Sequence, residues 1–352
     1  MTPPIPTLTA RLQGMAGRLR ERAGRLPLPR LKPPGGLSLW VSLLSIGFVM
    51  AALFSHARQL VQLQPDRQGW LWLLLGVGCS LLSLMANGAG WVVILRWLGQ
   101  EPRAAAVVAL HVATNVRKFL PGGIWHLLGR VQVLRQREPA PLGEPLPAPM
   151  PTATALVAVL LDPLLAAVAA LALVPLAGWQ GGLAPLCLLP LLVLLPRWLT
   201  PLLGRLERQR AQRLGVDVDL EREGGVSVAP LRGYPWLPLL SQALFVVLRF
   251  SGFACCVCAF DLLADLDLPA WLAGFALAWT AGLVVPGAPG GLGVFESVLL
   301  LRLGGMLPQA PLLAVALSYR LVVTVADLLG LLLIDLDARL ARRRGPRVLN
   351  RA

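Results

Sequence analysis

Apolar residues along this chain come in long blocks rather than in the alternating pattern of a half-buried strand. Nearly unbroken runs cover Leu37 to Phe54, Trp70 to Leu95, Thr152 to Leu176, Leu183 to Leu199, Trp236 to Phe260 and Pro311 to Ile334. At a helical rise of ~1.5 Å per residue, each is about long enough to cross ~30 Å of hydrocarbon. The pattern predicts an all-α polytopic membrane protein with six full spans. Two further apolar regions, Ala104 to Leu134 and Ala270 to Leu303, are each interrupted by a proline-glycine knot. The first knot is Pro121-Gly122-Gly123; the second runs from Pro286 through Pro289, Gly290, Gly291 and Gly293. Hydrocarbon offers no water to free backbone groups, so broken chain at membrane depth survives only where protein buries it or where it lines a polar cavity. The two knots are therefore predicted to be broken or re-entrant segments, and they mark where a transported substrate would bind.

Composition agrees with the pattern. Of 352 residues 56% are hydrophobic and 14% charged, and the mean hydropathy is +0.68, which excludes an ordinary soluble domain. The net charge of +14 sits between the apolar runs and at the two ends of the chain, not on one soluble face. Anionic lipids at the cytoplasmic face are the expected counter-charge, and no nucleic acid is expected. Of 32 basic residues only Lys32 and Lys118 are lysines, an arginine bias typical of GC-rich bacterial coding. Lys118 stands out beside the first knot, where a compact point charge has a use. The five cysteines lie within apolar runs, and His56, His111 and His126 are scattered, so no metal or cofactor is expected.

Arginine placement sets the predicted topology. Residues 1–36 form a basic arm, in which Leu8, Leu12, Met15 and Leu19 permit an interfacial helix, and no cleavable signal peptide is expected. This arm, the basic loop 200–233 and the tail 336–352 are assigned to the cytoplasm. The uncharged connection Pro175 to Pro185 and the acidic one, Asp261 to Pro269, are assigned outside. The count closes only if Ala104 to Leu134 enters and leaves on the cytoplasmic side and Ala270 to Leu303 returns to the outside. The transmembrane domain 37–335 then reads as a possible inverted repeat, 37–176 and 183–335, with matching interruptions. Both termini are expected in the cytoplasm of a bacterium, with the domain in its cytoplasmic membrane.

The polar residues near the knots supply candidate chemistry. Pro121 ends a helix, Gly122 and Gly123 allow a tight reversal, and a helix starting at Ile124 would present free amides suited to phosphate. Arg117, Lys118, His126 and Arg130 surround that start. Their cations either meet a negatively charged ligand or snorkel to headgroups. In the second knot Pro289, Gly290, Gly291 and Gly293 leave room for a close partner. Glu296 then falls in the first helical turn, either capping amides or acting as a functional acid. Asp162, Arg249, Arg320 and Asp327 lie inside spans, where each charge costs roughly 2.5–3.5 kcal/mol and must pair, neutralise or face a cavity. Arg249 and Arg320 are candidate substrate-binding residues, and Arg249 is also a candidate inter-helix partner of Asp162 or Glu296. Arg320 and Asp327, seven residues apart, are expected to share a polar region without touching. Asp162, Glu296 and Asp327 are the candidate ion-coupling acids.

The stretch Asn115 to Arg130, N-V-R-K-F-L-P-G-G-I-W-H-L-L-G-R, resembles the first signature of the lysylphosphatidylglycerol synthase transmembrane region family, also described as flippase-like. The segment P-G-G-L-G-V-F-E resembles its later signature, with Phe295 where an arginine is common, and Ser318-Tyr319-Arg320 resembles a stretch of its last span. The resemblance implies an integral membrane domain that moves a lipid or lipid-linked headgroup between leaflets. The soluble aminoacyl-transferase domain of the bifunctional synthases is not expected here, since only a short basic tail follows the last predicted span. No G-x-x-x-x-G-K-[ST] loop is present, so movement would be downhill or ion-coupled. The leading reading is a lipid flippase-like transporter of a phospholipid or lipid-linked phosphate. The alternatives are a non-transporting partner of a cell-envelope enzyme and an intramembrane enzyme acting on a lipid phosphate.

Overall fold

The computed structural model describes residues 65–119, 125–135, 150–178, 182–214, 233–285 and 289–343. The basic arm, the run Leu37 to Phe54, the first knot at 120–124 including Pro121, Gly122 and Gly123, most of the loop 200–233 and the end of the tail lie outside these residues. Among the described residues the chain forms ten α-helices and no strand.

The first half runs α1 (Arg67–Trp97), α2 (Ala104–Asn115), α3 (Trp125–Leu134) and α4 (Thr152–Leu173). Asp66 starts α1 by accepting the Gly69 amide at 2.6 Å. Gly99, at φ 82°, ends it, with the Gln100 amide bonding back to the Leu95 carbonyl. A 3-10 turn, Val116–Phe119, tightens the end of α2 before the first knot. Helix α4 continues through a second 3-10 turn, Val174–Ala177, and is buried along most of its length. Its many alanines let neighbouring helices approach it closely.

Next come α5 (Leu183–Val193) and α6 (Pro196–Leu214), which meet at a bend of 78°. The sequence pattern predicted one straight span from Leu183 to Leu199. Pro196 lacks the amide that would continue α5, and the chain reorients there.

The second half runs α7 (Trp236–Cys258), α8 (Leu268–Val284), α9 (Val294–Leu303) and α10 (Gln309–Arg343). Helices α8 and α9 are antiparallel, because Gly282 meets Gly291 while Gly274 meets Leu303. Among the described residues three helices, α1, α4 with its 3-10 extension, and α7, are each long and apolar enough to cross a membrane, and the bent α5–α6 pair raises that to four. The predicted run Pro311 to Ile334 lies within the continuous 35-residue α10.

Each half has its own core. The first is aliphatic around Trp91, with Ile94, Leu110, Val131, Leu156 and Leu161. The second is aromatic, with Phe253, Trp271, Phe275, Phe295 and Tyr319 in contact. Alanines 166, 170, 273 and 276 with Phe245 and Val246 join the halves where α4, α7 and α8 meet. The most extensive helix pairing is α1 on α7, at Gly76, Ser80 and Gly252, where small residues allow close backbone approach. Outward faces of α1, α5, α7 and α10 expose leucines and tryptophans such as Trp70, Leu74, Leu189, Leu240 and Leu332, which need hydrocarbon around them.

Candidate functional site

The elements that flank the first interruption are fixed by two charged ties. Arg130 on α3 is 2% exposed, and its Nη1 donates to Asp162 Oδ2 on α4 at 3.0 Å. Its Nε donates to Thr114 Oγ1 at 3.1 Å, and its guanidinium stacks 5.3 Å from the Trp91 ring. Asp162 also takes Gln242 Nε2 of α7 at 2.9 Å and lies 3.2 Å from His111 Nε2 of α2. One carboxylate thus joins α2, α3, α4 and α7, and its oxygens are satisfied entirely by protein.

The second tie leaves the tip of the interruption. Lys118 Nζ lies 2.6 Å from Asp327 Oδ2 on α10, and Asn115 Nδ2 donates to Asp327 Oδ1 at 2.8 Å. Asp327 is fully buried, whereas the Lys118 side chain keeps 20% exposure. Arg117 is exposed, and its guanidinium lies over Gly129 of α3, where a Cβ would collide with it.

At the second interruption the backbone itself is held. Gly290, Gly291 and Gly293 have φ of 60°, 72° and 80°, a region that side-chain-bearing residues enter only at a cost. Gly291 also abuts the Gly282 backbone so closely that a Cβ would sit 2.8 Å from its carbonyl oxygen. Glu296 of α9 is 1% exposed and accepts the Gly293 amide at 2.7 Å, so it does cap the helix. It also accepts Arg320 Nε of α10 at 2.6 Å. The remaining arms of Arg320 donate to the Gly290 and Gly291 carbonyls, the latter at 2.5 Å. Phe295, at the place where an arginine is common in the signature it resembles, lies under the Arg320 guanidinium at 5.1 Å.

Arg130, Lys118 and Arg320 each meet an acid, and the partners differ from those expected. Arg249 pairs with neither Asp162 nor Glu296, because Arg130 and Arg320 already hold those acids. Its Nη1 donates to Ser83 Oγ on α1 at 3.2 Å. The negative charges that Arg130 and Lys118 require come from within the chain. Arg320 and Asp327 do not share a partner; each holds a different interruption. His126 is half-buried one turn before Arg130 and, among the described residues, has no hydrogen bond at Nδ1. Pro289 lies in the 3-10 turn Pro289–Gly291.

His111, Thr114, Asn115, Gln242 and Ser83 were missed as partners. His111 had been weighed only as a metal ligand. The others are small or neutral polar residues in apolar helices, and the usable signal was only that each must find a hydrogen bond there. Among the described residues no cluster of three or more His, Cys, Asp or Glu could hold a metal ion.

Comparison with known proteins agrees with the membrane architecture. No curated protein matches the chain. A family model does match, over residues 35–330, which covers every described helix except the end of α10. By this match, and with broken segments flanked by buried ion pairs among helices apolar enough to span a bilayer, the chain is an integral membrane protein tied to lipid metabolism or flipping and belongs to the lysylphosphatidylglycerol synthase transmembrane region family.

Proposed function

We propose that the protein is a non-enzymatic lipid transporter that moves a phospholipid or lipid-linked phosphate headgroup between leaflets while the acyl chains stay in the bilayer. The carrying observation is that the two interruptions, one from each half, are both tied to α10: Lys118 to Asp327, and the Gly290–Gly291 carbonyls to Arg320. A helix that holds both broken segments can release one while keeping the other, as alternating access requires.

The halves follow the same order of a long helix, two short ones around an interruption, and a long helix. We read them as an inverted repeat, α1–α4 against α7–α10, in a bacterial cytoplasmic membrane with both termini cytoplasmic. In this reading the interruptions are re-entrant, and Arg117 at the tip of the first meets the incoming anionic headgroup. The phosphate then competes with Asp327 for Lys118.

The test is transbilayer movement of reporter-labelled phospholipids in proteoliposomes. Lys118→Gln combined with Asp327→Asn removes the tie without leaving a lone buried charge. Movement should be lost while the variant stays folded. Wild-type movement in this double variant would overturn the mechanism.

A further inference from the structure

Arg249 is the buried cation whose charge the fold leaves open. It sits on α7 facing α1 and is 7% exposed. Among the described residues it has no carboxylate partner; its one hydrogen bond goes to neutral Ser83 Oγ, whose own proton goes to the Ser80 carbonyl at 2.7 Å. The undescribed residues of the interruptions, 120–124 and 286–288, carry no acid that could supply one. A lone buried guanidinium is costly to fold around, and replacing it by an apolar side chain would ordinarily favour the fold. Among the described residues nothing balances this charge, and a negatively charged ligand would.

The surroundings point the same way. Among the described residues the Arg249 Nε, the Ser80 hydroxyl and the Tyr319 hydroxyl are all buried without a hydrogen-bond partner. Ser80 packs against Gly252, three residues beyond Arg249 on α7, and Tyr319 lies in the electrostatic field of Arg249. All three groups can donate, and what they lack is an acceptor. Arg249 and Arg320 also lie within electrostatic reach of Lys118. Among the described residues Lys118 pairs with Asp327 and Arg320 with Glu296, while Arg249 meets only the neutral Ser83 hydroxyl. The surplus is a single positive charge.

We infer that Arg249 and the Ser80–Ser83 face of α1 form an anion subsite for the singly charged phosphodiester of a lipid headgroup. This deepens the transporter reading and rests on it for the lipid source of the phosphate. A phosphodiester carries one negative charge and so balances the surplus; a phosphomonoester at neutral pH overfills it. A guanidinium reads phosphate oxygens bidentately, which a lysine cannot do.

The experiment is thermal unfolding of the purified full chain in detergent, with short-chain phosphatidylglycerol, short-chain phosphatidic acid or inorganic phosphate as probes. Phosphatidylglycerol should raise the unfolding midpoint more than either other probe. Arg249→Met should unfold no earlier than wild type without lipid, because the lone charge is gone, and should lose the lipid-induced shift. Arg249→Lys should weaken the apparent affinity for phosphatidylglycerol by about tenfold. A lower midpoint for Arg249→Met with the lipid shift intact would make the arginine a structural cation and overturn the inference. Equal shifts from inorganic phosphate and phosphatidylglycerol would overturn the lipid phosphodiester assignment. If Arg249→Met does not fold, Arg249→Lys decides, and wild-type affinity there overturns the subsite.

Transport separates this inference from the function it rests on. Lipid movement that depends on Lys118 but not on Arg249 leaves the transporter and removes the subsite. Arg249-dependent binding without movement in the wild type leaves the subsite and removes the transporter.

Discussion

The two interruptions carry the same kind of ion pair with the charges exchanged. In the first half the short helix α3 bears the cation, Arg130, and the long helix α4 bears the acid, Asp162. In the second half the short helix α9 bears the acid, Glu296, and the long helix α10 bears the cation, Arg320. The exchange matters because a carboxylate only accepts, whereas a guanidinium has five donors in a fixed fork. Asp162 can gather side-chain donors from several helices, and it does, and the Arg130 side chain is just 3% exposed. Arg320 can grip backbone carbonyls as well as its acid, and its side chain stays 20% exposed, as does that of Lys118. The first pair is a fixed joint between buried helices, while the cations tied to or borne by α10 stay partly exposed.

The largest effect should come from breaking the fixed joint. Asp162→Ala leaves Arg130 buried with no counter-charge and strips His111 and Gln242 of their acceptor. Removing one partner of such a pair costs about 3–5 kcal/mol. The variant should show a sharply lower thermal midpoint in detergent and a low folded yield. A midpoint near wild type would mean that the joint is not closed in the way described.

A smaller loss of stability but a clear loss of function should follow Arg320→Lys. The ammonium can still meet Glu296, but it cannot also reach the Gly290 and Gly291 carbonyls in the geometry of the fork. Losing those two bonds costs about 2 kcal/mol, and lipid movement should fall roughly tenfold with the protein still folded. Unchanged movement would show that the grip on the second turn has no part in transport, and the contrast between the two halves would lose its functional meaning.

Much of this was legible in the sequence, and what was not has physical causes. Apolar runs gave α1, α4, α7 and α10, because a bilayer crossing demands a long unbroken helix. The glycine-proline punctuation located the second interruption, while the first knot lies outside the described residues, and the charges in spans flagged Asp162, Arg249 and Asp327, which are buried, and Arg320, which is partly so. Pairing was the part that failed. Arg249 was matched to acids that nearer arginines already held, and a one-dimensional reading has no way to rank distances between helices. Asn115 and Gln242 stayed unnoticed because a neutral amide in an apolar helix usually means helix packing. The bend between α5 and α6 was missed because Pro196 lies inside an apolar run whose length satisfied the span criterion.

Asn115→Ala is the smallest and most discriminating change, because it touches the tie between the halves without touching a charge. Asp327 accepts from Lys118 on one oxygen and from Asn115 on the other, and it is fully buried. Without the amide, one carboxylate oxygen loses its partner, at a cost of about 1.5 kcal/mol. The ion pair with Lys118 survives, so the fold should hold with a slightly lower midpoint. If a substrate phosphate competes with Asp327 for Lys118, a carboxylate held by one donor instead of two sits less firmly against the tip of the first interruption. Headgroup binding should then tighten slightly, read as a lower lipid concentration for half-maximal movement in proteoliposomes. A rise in that concentration would mean that Asn115 helps the lipid directly and that Asp327 is its co-ligand rather than its competitor.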